Sequence, residues 1–245
     1  MFPLLTGEGR TRIVCVTVNA RSHGGVGRAY HRPESELSFF VEPDGQATHD
    51  ACPDCGCAGI IEAMNVMREA PTLHTERLSL RGHRLDDMGN CVSLWSDPVV
   101  TRHIGGRPFS EEEIWTRLLR YVGHWSLLGF GYWVVNETVS GRFVGEVGFA
   151  DYKREIEPSL KGTPEIGWVL APWAYGQGFA TEAVRAAVAW GGTRFGSQRT
   201  VCIIRPENLA SIRVAHKCGY RECARTTYKG QPILLFERAV DSPSP

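Results

Sequence analysis

The chain reads as an α/β protein of the α+β kind, with a mixed, mostly antiparallel sheet flanked by helices. Three patterns carry that reading. From about Thr72 onward, runs that alternate like strands are interspersed with runs of helical period. Two of the strand-like runs, GFGYWVVNE and GRFVGEVGFADY, are separated only by a turn around Ser140-Gly141, which makes them a hairpin and so antiparallel. A third, PEIGWVLAP, leads through the glycine-rich stretch WAYGQGFATEA into a helix, and such a crossover introduces parallel pairing.

The elements follow in order. Residues 1–63 hold no tryptophan and one tyrosine, Tyr30, and their periodic runs are short. RIVCVTV (Arg12–Val18) and ELSFFVEP (Glu36–Pro43) look like strands, the latter closing on the turn signal Pro43-Asp44-Gly45. A small hairpin and a loosely ordered arm are both open readings. Met64 and Met67 stand just before the strongly patterned sequence, so a start at either is open too. The expected division is an extension over 1–63, a main domain over 64–240 and a disordered tail over 241–245. In the main domain, TERLSLRGH alternates like a strand, and DDMGNCVSLWSD is a short helix with Asp86 as its expected cap. Ser110 followed by Glu111, Glu112 and Glu113 marks a helix start, with carboxylates at the positive end of the dipole. That helix is expected to reach about His124. After the hairpin and the crossover helix, which runs to about Phe195, come the strand RTVCIIRP, a helix from Asn208 to Cys218, and the strands RECARTTYK and QPILLFER.

Bulk properties exclude several function classes. Twenty-seven basic and 27 acidic residues give zero net charge and a pI near 7.1, which favours neither nucleic acid nor a membrane surface as partner. No apolar run approaches the ~20 residues needed to span a bilayer, and the start, MFPLLTGEGR, lacks the basic region of a secretory signal. The eight cysteines scatter rather than form a disulfide framework, which points to a cytoplasmic protein with free thiols. HDACPDCGC holds His49, Cys52, Cys55 and Cys57, and Cys52 and Cys55 have the spacing of half a zinc site. No second pair is visible elsewhere, so no metal is expected.

Glycine costs backbone entropy, so Gly176 and Gly178 at a helix start call for a compensating gain. Such a turn lets the backbone approach a ligand, and the first helical N–H groups lack partners and attract anions. The stretch is neither GxGxxG nor GxxxxGK[ST], so the dinucleotide and P-loop fingerprints fail. A helix simply packed close on a sheet is the competing reading. Phe179, Ala183, Ala187 and Trp190 recur at helical spacing and form an expected core face. Asn208 is a good helix cap.

Taken together, TLHTERLSLR, GFGYWVV, GRFVGEVGF, EIGWVLAPWAYGQGFATEA and RPENLASIRVAHKCGY resemble the GNAT N-acetyltransferase superfamily, and within it the RimJ/RimL-type branch. The resemblance covers roughly residues 70–238. It implies a central sheet with a splayed strand pair and an acetyl-CoA-dependent N-acetyltransferase domain over 64–240. In this family the strand matching Gly167–Leu170 carries a bulge and parts from the next strand, Val201–Ile204, to admit the pantetheine arm. The resemblance places backbone groups of Val169 and Leu170 on that arm. The family pattern Gln/Arg-x-x-Gly-x-Gly/Ala maps onto Tyr175, Gly176, Gln177, Gly178, Phe179 and Ala180, with Tyr175 departing at the first position. The pyrophosphate would sit on amides from Gln177 to Thr181. Asn208 is similar to the family asparagine that binds the cofactor arm, and Lys217 is a candidate for the outer phosphate or a solvated helix-end residue.

Acetyl transfer needs a neutral amine, a stabilised oxyanion and an outlet for the leaving thiolate. Glu165 is the first candidate base and Glu146 the second; solvent-facing carboxylates are the competing reading. Many family members place a tyrosine acid seven residues after the asparagine, where this chain has Ala215. Ser211 is the alternative partner for the sulfur, and His216 is expected at the surface. Trp115, Trp125, Tyr132 and Trp133 supply aromatic residues for an acceptor site or for the core. Asp151–Pro164 is expected as a specificity loop, with Glu155 and Glu157 either attracting a cationic amine or facing water. The implied acceptor is the primary amine of a protein N-terminus or of a small molecule. The rival is a non-catalytic acyl-CoA-binding module. The oligomeric expectation is a monomer or homodimer.

Overall fold

A computed structural model describes residues 69–239 and, before them, four strands in a first unit. The chain divides into two compact units, Met1–Glu62 and Ala63–Pro245. In the first, β1 (Pro3–Leu5), β2 (Thr11–Cys15), β3 (Leu37–Val41) and β4 (Ala47–Thr48) form an antiparallel sheet in that order. The two strand-like runs of this segment therefore pair, from Thr11 opposite Val41 to Cys15 opposite Leu37. His49, the cysteines at 52, 55 and 57, the candidate starts at 64 and 67, and the tail 241–245 lie outside the described residues.

The second unit is built on eight strands: β5 (Leu73–His74), β6 (Leu78–Arg81), β7 (Tyr132–Glu137), β8 (Phe143–Ala150), β9 (Glu165–Leu170), β10 (Thr200–Ile204), β11 (Arg221–Tyr228) and β12 (Gln231–Arg238). Their order is β11-β12-β10-β9-β8-β7-β6-β5, and the β9–β10 pair alone is parallel. The helices are α1 (Met88–Trp95), the short α2 (Pro98–Thr101), α3 (Glu111–Leu128), α4 (Phe179–Phe195) and α5 (Leu209–Lys217). The mixed, mostly antiparallel sheet of the sequence reading is thus what forms.

Local chemistry sets the helix ends. The Ser110 side chain accepts from the Glu113 N–H while Glu113 accepts from the Ser110 N–H, a reciprocal cap that starts α3. The helix runs past His124 to Leu128, where Gly129 turns left-handed at φ 68°. The expected cap Asp86 is displaced by its neighbour. A single 3-10 turn, Leu85–Asp87, precedes α1, and Asp87 accepts from the Arg84 N–H at 2.7 Å. Asp87 also pairs with Arg81 at 2.6 and 2.7 Å, and that second bond is what favours it over Asp86.

The core lies between the sheet and α4. Trp125, Trp133, Phe149, Phe195 and Trp190 make edge-on ring contacts, with Trp133 fully buried. Phe179, Ala183 and Ala187 are buried on the expected face of α4, while Trp190 is partly buried against the same cluster. Four cysteines among the described residues, Cys91, Cys202, Cys218 and Cys223, are unpaired thiols. No described helix is long and apolar enough to cross a membrane.

Candidate active site

The parallel pair β9–β10 holds at one end only. Val201 opposite Glu165 is its single registered pair, and the strands part beyond it. The expected bulge is not in β9: its six residues pair with β8 without a shift. The irregularity falls between β7 and β8, at Val135 and Asn136, beside Gly145. There the close packing of β8 on β9 requires glycine, since a Cβ on Gly145 would lie 2.2 Å from the Val169 carbonyl oxygen. The splay therefore comes from lost pairing on the β10 side.

Hydrogen bonds fix which backbone groups face the gap. The Val201 N–H donates to the Pro164 carbonyl at 3.1 Å, and the Ala171 N–H donates across to Val144 of β8 at 2.8 Å. Because successive residues alternate, Trp168 and Leu170 present their N–H and C=O groups to the gap. Val169 turns its own toward β8. Of the two expected residues, Leu170 aims its backbone groups at the gap and Val169 does not; Trp168 does.

Beyond β9, a 3-10 turn (Pro172–Ala174) leads into the glycine turn. Gly176 and Gly178 adopt φ of 75° and 82°, the left-handed region that glycine tolerates without penalty. Gly178 begins α4 with no side-chain cap, and the first helical bond is Glu182 N–H to the Gly178 carbonyl. The amides of Phe179, Ala180 and Thr181 thus have no intrahelical partner. Arg77 holds this turn in place: it donates to the Gln177 carbonyl at 3.0 Å and to Glu182 at 2.8 Å, and lies over the Phe179 ring at 4.6 Å. The Thr75 hydroxyl also donates to Glu182, at 2.6 Å. Tyr175 is about half exposed.

The gap opens into a cavity of about 590 Å³, with Asn208 and Ser211 at its α5 side. The Asn208 side-chain oxygen Oδ1 caps α5 by accepting from the Ser211 N–H at 3.1 Å. The Ser211 hydroxyl makes no hydrogen bond to a described residue and faces the cavity. Lys217 and His216 are exposed at the far end of α5, outside the cavity lining. Ala215 is fully buried.

The two carboxylates are not free bases. Glu165 lines the cavity, yet Arg154 donates to both of its oxygens, at 2.6 and 2.7 Å. Both oxygens are thus occupied by the guanidinium rather than open to an incoming amine. Glu146 is 1 % exposed and outside the lining. It accepts from Trp95 Nε1 at 3.0 Å and from the Cys91 thiol at 3.3 Å, and meets His83 Nε2 at 3.1 Å. Burial is the largest single influence and opposes its charge, but His83, Arg117 and Cys91 together outweigh it, so its carboxyl sits below the usual range. Glu146 is a fixed interior anion.

Side chains that the sequence did not single out dominate the acceptor side. Arg117 and Tyr121 stand one turn apart on α3, and both line the cavity. Tyr121 stacks on Tyr132 at 4.4 Å, and the Tyr132 hydroxyl lies over Gly167, where a Cβ would come within 2.0 Å of it. Burial raises both phenols well above their ordinary value, so they remain protonated donors. Of the other aromatic candidates, Trp125 and Trp133 are core and Trp115 is 39 % exposed on the outer side of α3. Glu155 and Glu157 are exposed and outside the cavity. The i, i+4 spacing of Arg117 and Tyr121 was visible in the sequence, but nothing there said which face would meet the gap.

A family model described as an acetyltransferase (GNAT) domain matches residues 77–221, more than half of the chain. The chain belongs to the GNAT acetyltransferase family. An N-acetyltransferase of Bacillus licheniformis, p20, is 32% identical over 155 residues, covering 62% of this chain and 83% of that one. The structure of a GNAT-family acetyltransferase from Bordetella pertussis is 31% identical with a TM-score of 0.61, covering 69% of this chain and all of that one. RimL, a ribosomal L7/L12 α-N-protein acetyltransferase solved with coenzyme A, shares the fold at 17% identity and a TM-score of 0.57, over 70% of this chain and 99% of that one. As a GNAT acetyltransferase, the protein carries out acetyl-CoA-dependent N-acetyl transfer. The parted strands, the left-handed glycines and the uncapped start of α4 suit a thioester on a long arm that leads to a pyrophosphate.

Proposed function

We propose that this GNAT acetyltransferase transfers acetyl from acetyl-CoA to the primary amine of a small molecule bound in the cavity beside the parted strands. One observation carries the reading: the gap between β9 and β10 opens directly into a lined cavity that holds Ser211, Asn208 and a cluster of tyrosine and arginine side chains. The chain's membership of the RimJ/RimL-type branch is part of the proposal, and the motifs it shares with that branch support it.

When bound, acetyl-CoA supplies an activated thioester. The residues then divide the work. Amides from Gln177 to Thr181, on the turn made by Gly176 and Gly178, hold the pyrophosphate with the helix dipole behind them. Tyr175 flanks that turn, and Phe179 and Ala180 pack its first helical residues against the sheet. The Trp168 and Leu170 backbone groups bind the arm in place of the missing β10 partners. Asn208 and Ser211 meet the arm from α5, and the Ser211 hydroxyl donates to the sulfur. Lys217, exposed at the end of α5, is left to solvent. The cationic wall around Arg117 favours the neutral form of an incoming amine, because a like charge nearby disfavours the ammonium. The amine proton leaves to water through the open cleft, without a carboxylate base.

The test is calorimetric titration of the purified full chain with acetyl-CoA, beside a thiol-release assay with a panel of primary amines. Saturable binding with amine-dependent release of free thiol supports the reading. A folded protein that binds no acetyl-CoA refutes it.

A further inference from the structure

The cavity holds more positive charge than amine binding needs. Arg117, Arg120, Arg205 and Lys229 line it, and its one acid among the described residues, Glu165, is already paired with Arg154. No described carboxylate lies within ion-pair distance of Arg117 or Arg120. The acid nearest in influence is Glu146, which is buried and satisfied by His83, Cys91 and Trp95.

The geometry around these two arginines is that of a built site. They stand three residues apart on α3, on one side of the helix. The Arg117 guanidinium lies 3.9 Å over the Trp95 ring and 4.9 Å from Phe109, and the Arg120 guanidinium lies 5.1 Å over Tyr152. Ring stacking fixes a guanidinium by its faces and leaves the N–H donors along its edge free. Arg117 uses only one of its five donors on a described side chain, the Tyr121 hydroxyl at 3.4 Å. A planar, stacked and unpaired guanidinium in a cavity is suited to a carboxylate, which it can bind through two parallel hydrogen bonds.

We propose that the acceptor is a small aminocarboxylate, a free amino acid or a close derivative, whose carboxylate is held by Arg117 with Arg120. This rests on the cleft being the acetyl-acceptor site. The carboxylate anchors the molecule on α3 and directs its amine toward the parted strands. The same positive wall works against a polyamine, which would bring further ammonium groups next to the arginines. It gives no advantage to a peptide N-terminus, whose nearest carboxyl has become an amide. Because the wall also favours the neutral amine, one group of residues selects the substrate and prepares it.

The test uses the full chain, saturated with acetyl-CoA, and thiol release as the readout. The twenty L-amino acids are each compared with their α-amides, together with spermidine and an uncharged tripeptide amide. The expected result is at least one amino acid with kcat/KM ten or more times that of its amide, consistent with the loss of one charge-assisted bond pair. Arg117→Gln should collapse that ratio toward one, and Arg117→Lys, which keeps the charge but loses the stacked two-bond fork, should retain only part of it. A purely structural role for Arg117 would lower both members of each pair and leave the ratio alone. Amides, spermidine or the peptide matching or exceeding the amino acids would overturn the proposal while leaving acetyl transfer intact. If nothing turns over, calorimetry on the coenzyme A complex decides: amino acids binding tighter than their amides supports it, and equal or absent binding overturns it. Loss of acetyl-CoA binding itself, in folded protein, would remove the transfer reading and this proposal with it.

Discussion

Replacing Glu165 by glutamine separates a structural carboxylate from a catalytic one. The wild-type pair is well enclosed, with side chains 18% exposed for Arg154 and 8% for Glu165, and both carboxylate oxygens are engaged. Glutamine has nearly the same shape but no charge. It leaves Arg154 with the rings of Tyr152 and Tyr228, at 4.5 and 4.9 Å, and no anion. Breaking a buried pair from one side costs about 3–5 kcal/mol, and the lower end applies here because the cavity admits water. For a domain of this size each kcal/mol lowers the melting temperature by about 2–4 °C, so a fall of roughly 6–12 °C is expected. The double variant Arg154→Met with Glu165→Met removes both charges and should recover most of that loss. Calorimetric melting of the wild type and the two variants, with thiol release measured well below each transition, is the assay. A Glu165→Gln protein with wild-type melting and acetyl-CoA affinity but kcat reduced a hundredfold would show that Glu165 is the base after all.

Three further outcomes are expected. Gly178→Val should weaken acetyl-CoA binding by about tenfold, since a left-handed side-chain-bearing residue costs roughly 1–2 kcal/mol and the turn relaxes away from its amide array; the added Cβ would meet only Arg77 Nη2 at 3.5 Å, so the effect is conformational, and unchanged affinity by calorimetry would refute the placement. Gly148→Ala should destabilise by about 1–3 kcal/mol or more, because its Cβ would lie 2.3 Å from both the Gly131 carbonyl oxygen and the Tyr132 Cα; a wild-type urea midpoint would contradict this. Acidification should lower the melting temperature. Burial opposes the charge of Asp87, Glu146 and Glu182, but bonds from Arg81, His83 and Thr75 respectively lead the effects that hold these carboxyls below their usual range. Their stabilisation is complete above an unfolded-state pKa of about 4 and is lost as pH falls through the lower folded values. A melting temperature that stays level from pH 6 to pH 2 would count against it.

The sequence by itself determined most elements that depend on neighbours along the chain, the short capped α2 and the exact cap of α1 excepted. The β7–β8 hairpin follows from its turn, α3 begins where Ser110 and Glu113 cap each other, and α5 begins at Asn208 because an asparagine oxygen can reach the Ser211 amide. The glycine turn was legible for the same reason: left-handed backbone needs glycine, and the need shows in the residues themselves. The roles of charged side chains were not legible. Glu165 looked like a free base until the fold brought Arg154 from the preceding loop onto both its oxygens. Glu146 looked like a cleft residue until His83, Cys91 and Trp95 closed around it. Arg117 was one arginine among many on an exposed-looking helix until the tertiary structure set it on Trp95 at the cavity, with no described carboxylate within ion-pair distance. Caps, turns and periodicity depend on a few adjacent residues, and sequence records those. The state of a charge depends on which distant partners the fold delivers within a few ångströms, and only the tertiary structure decides that.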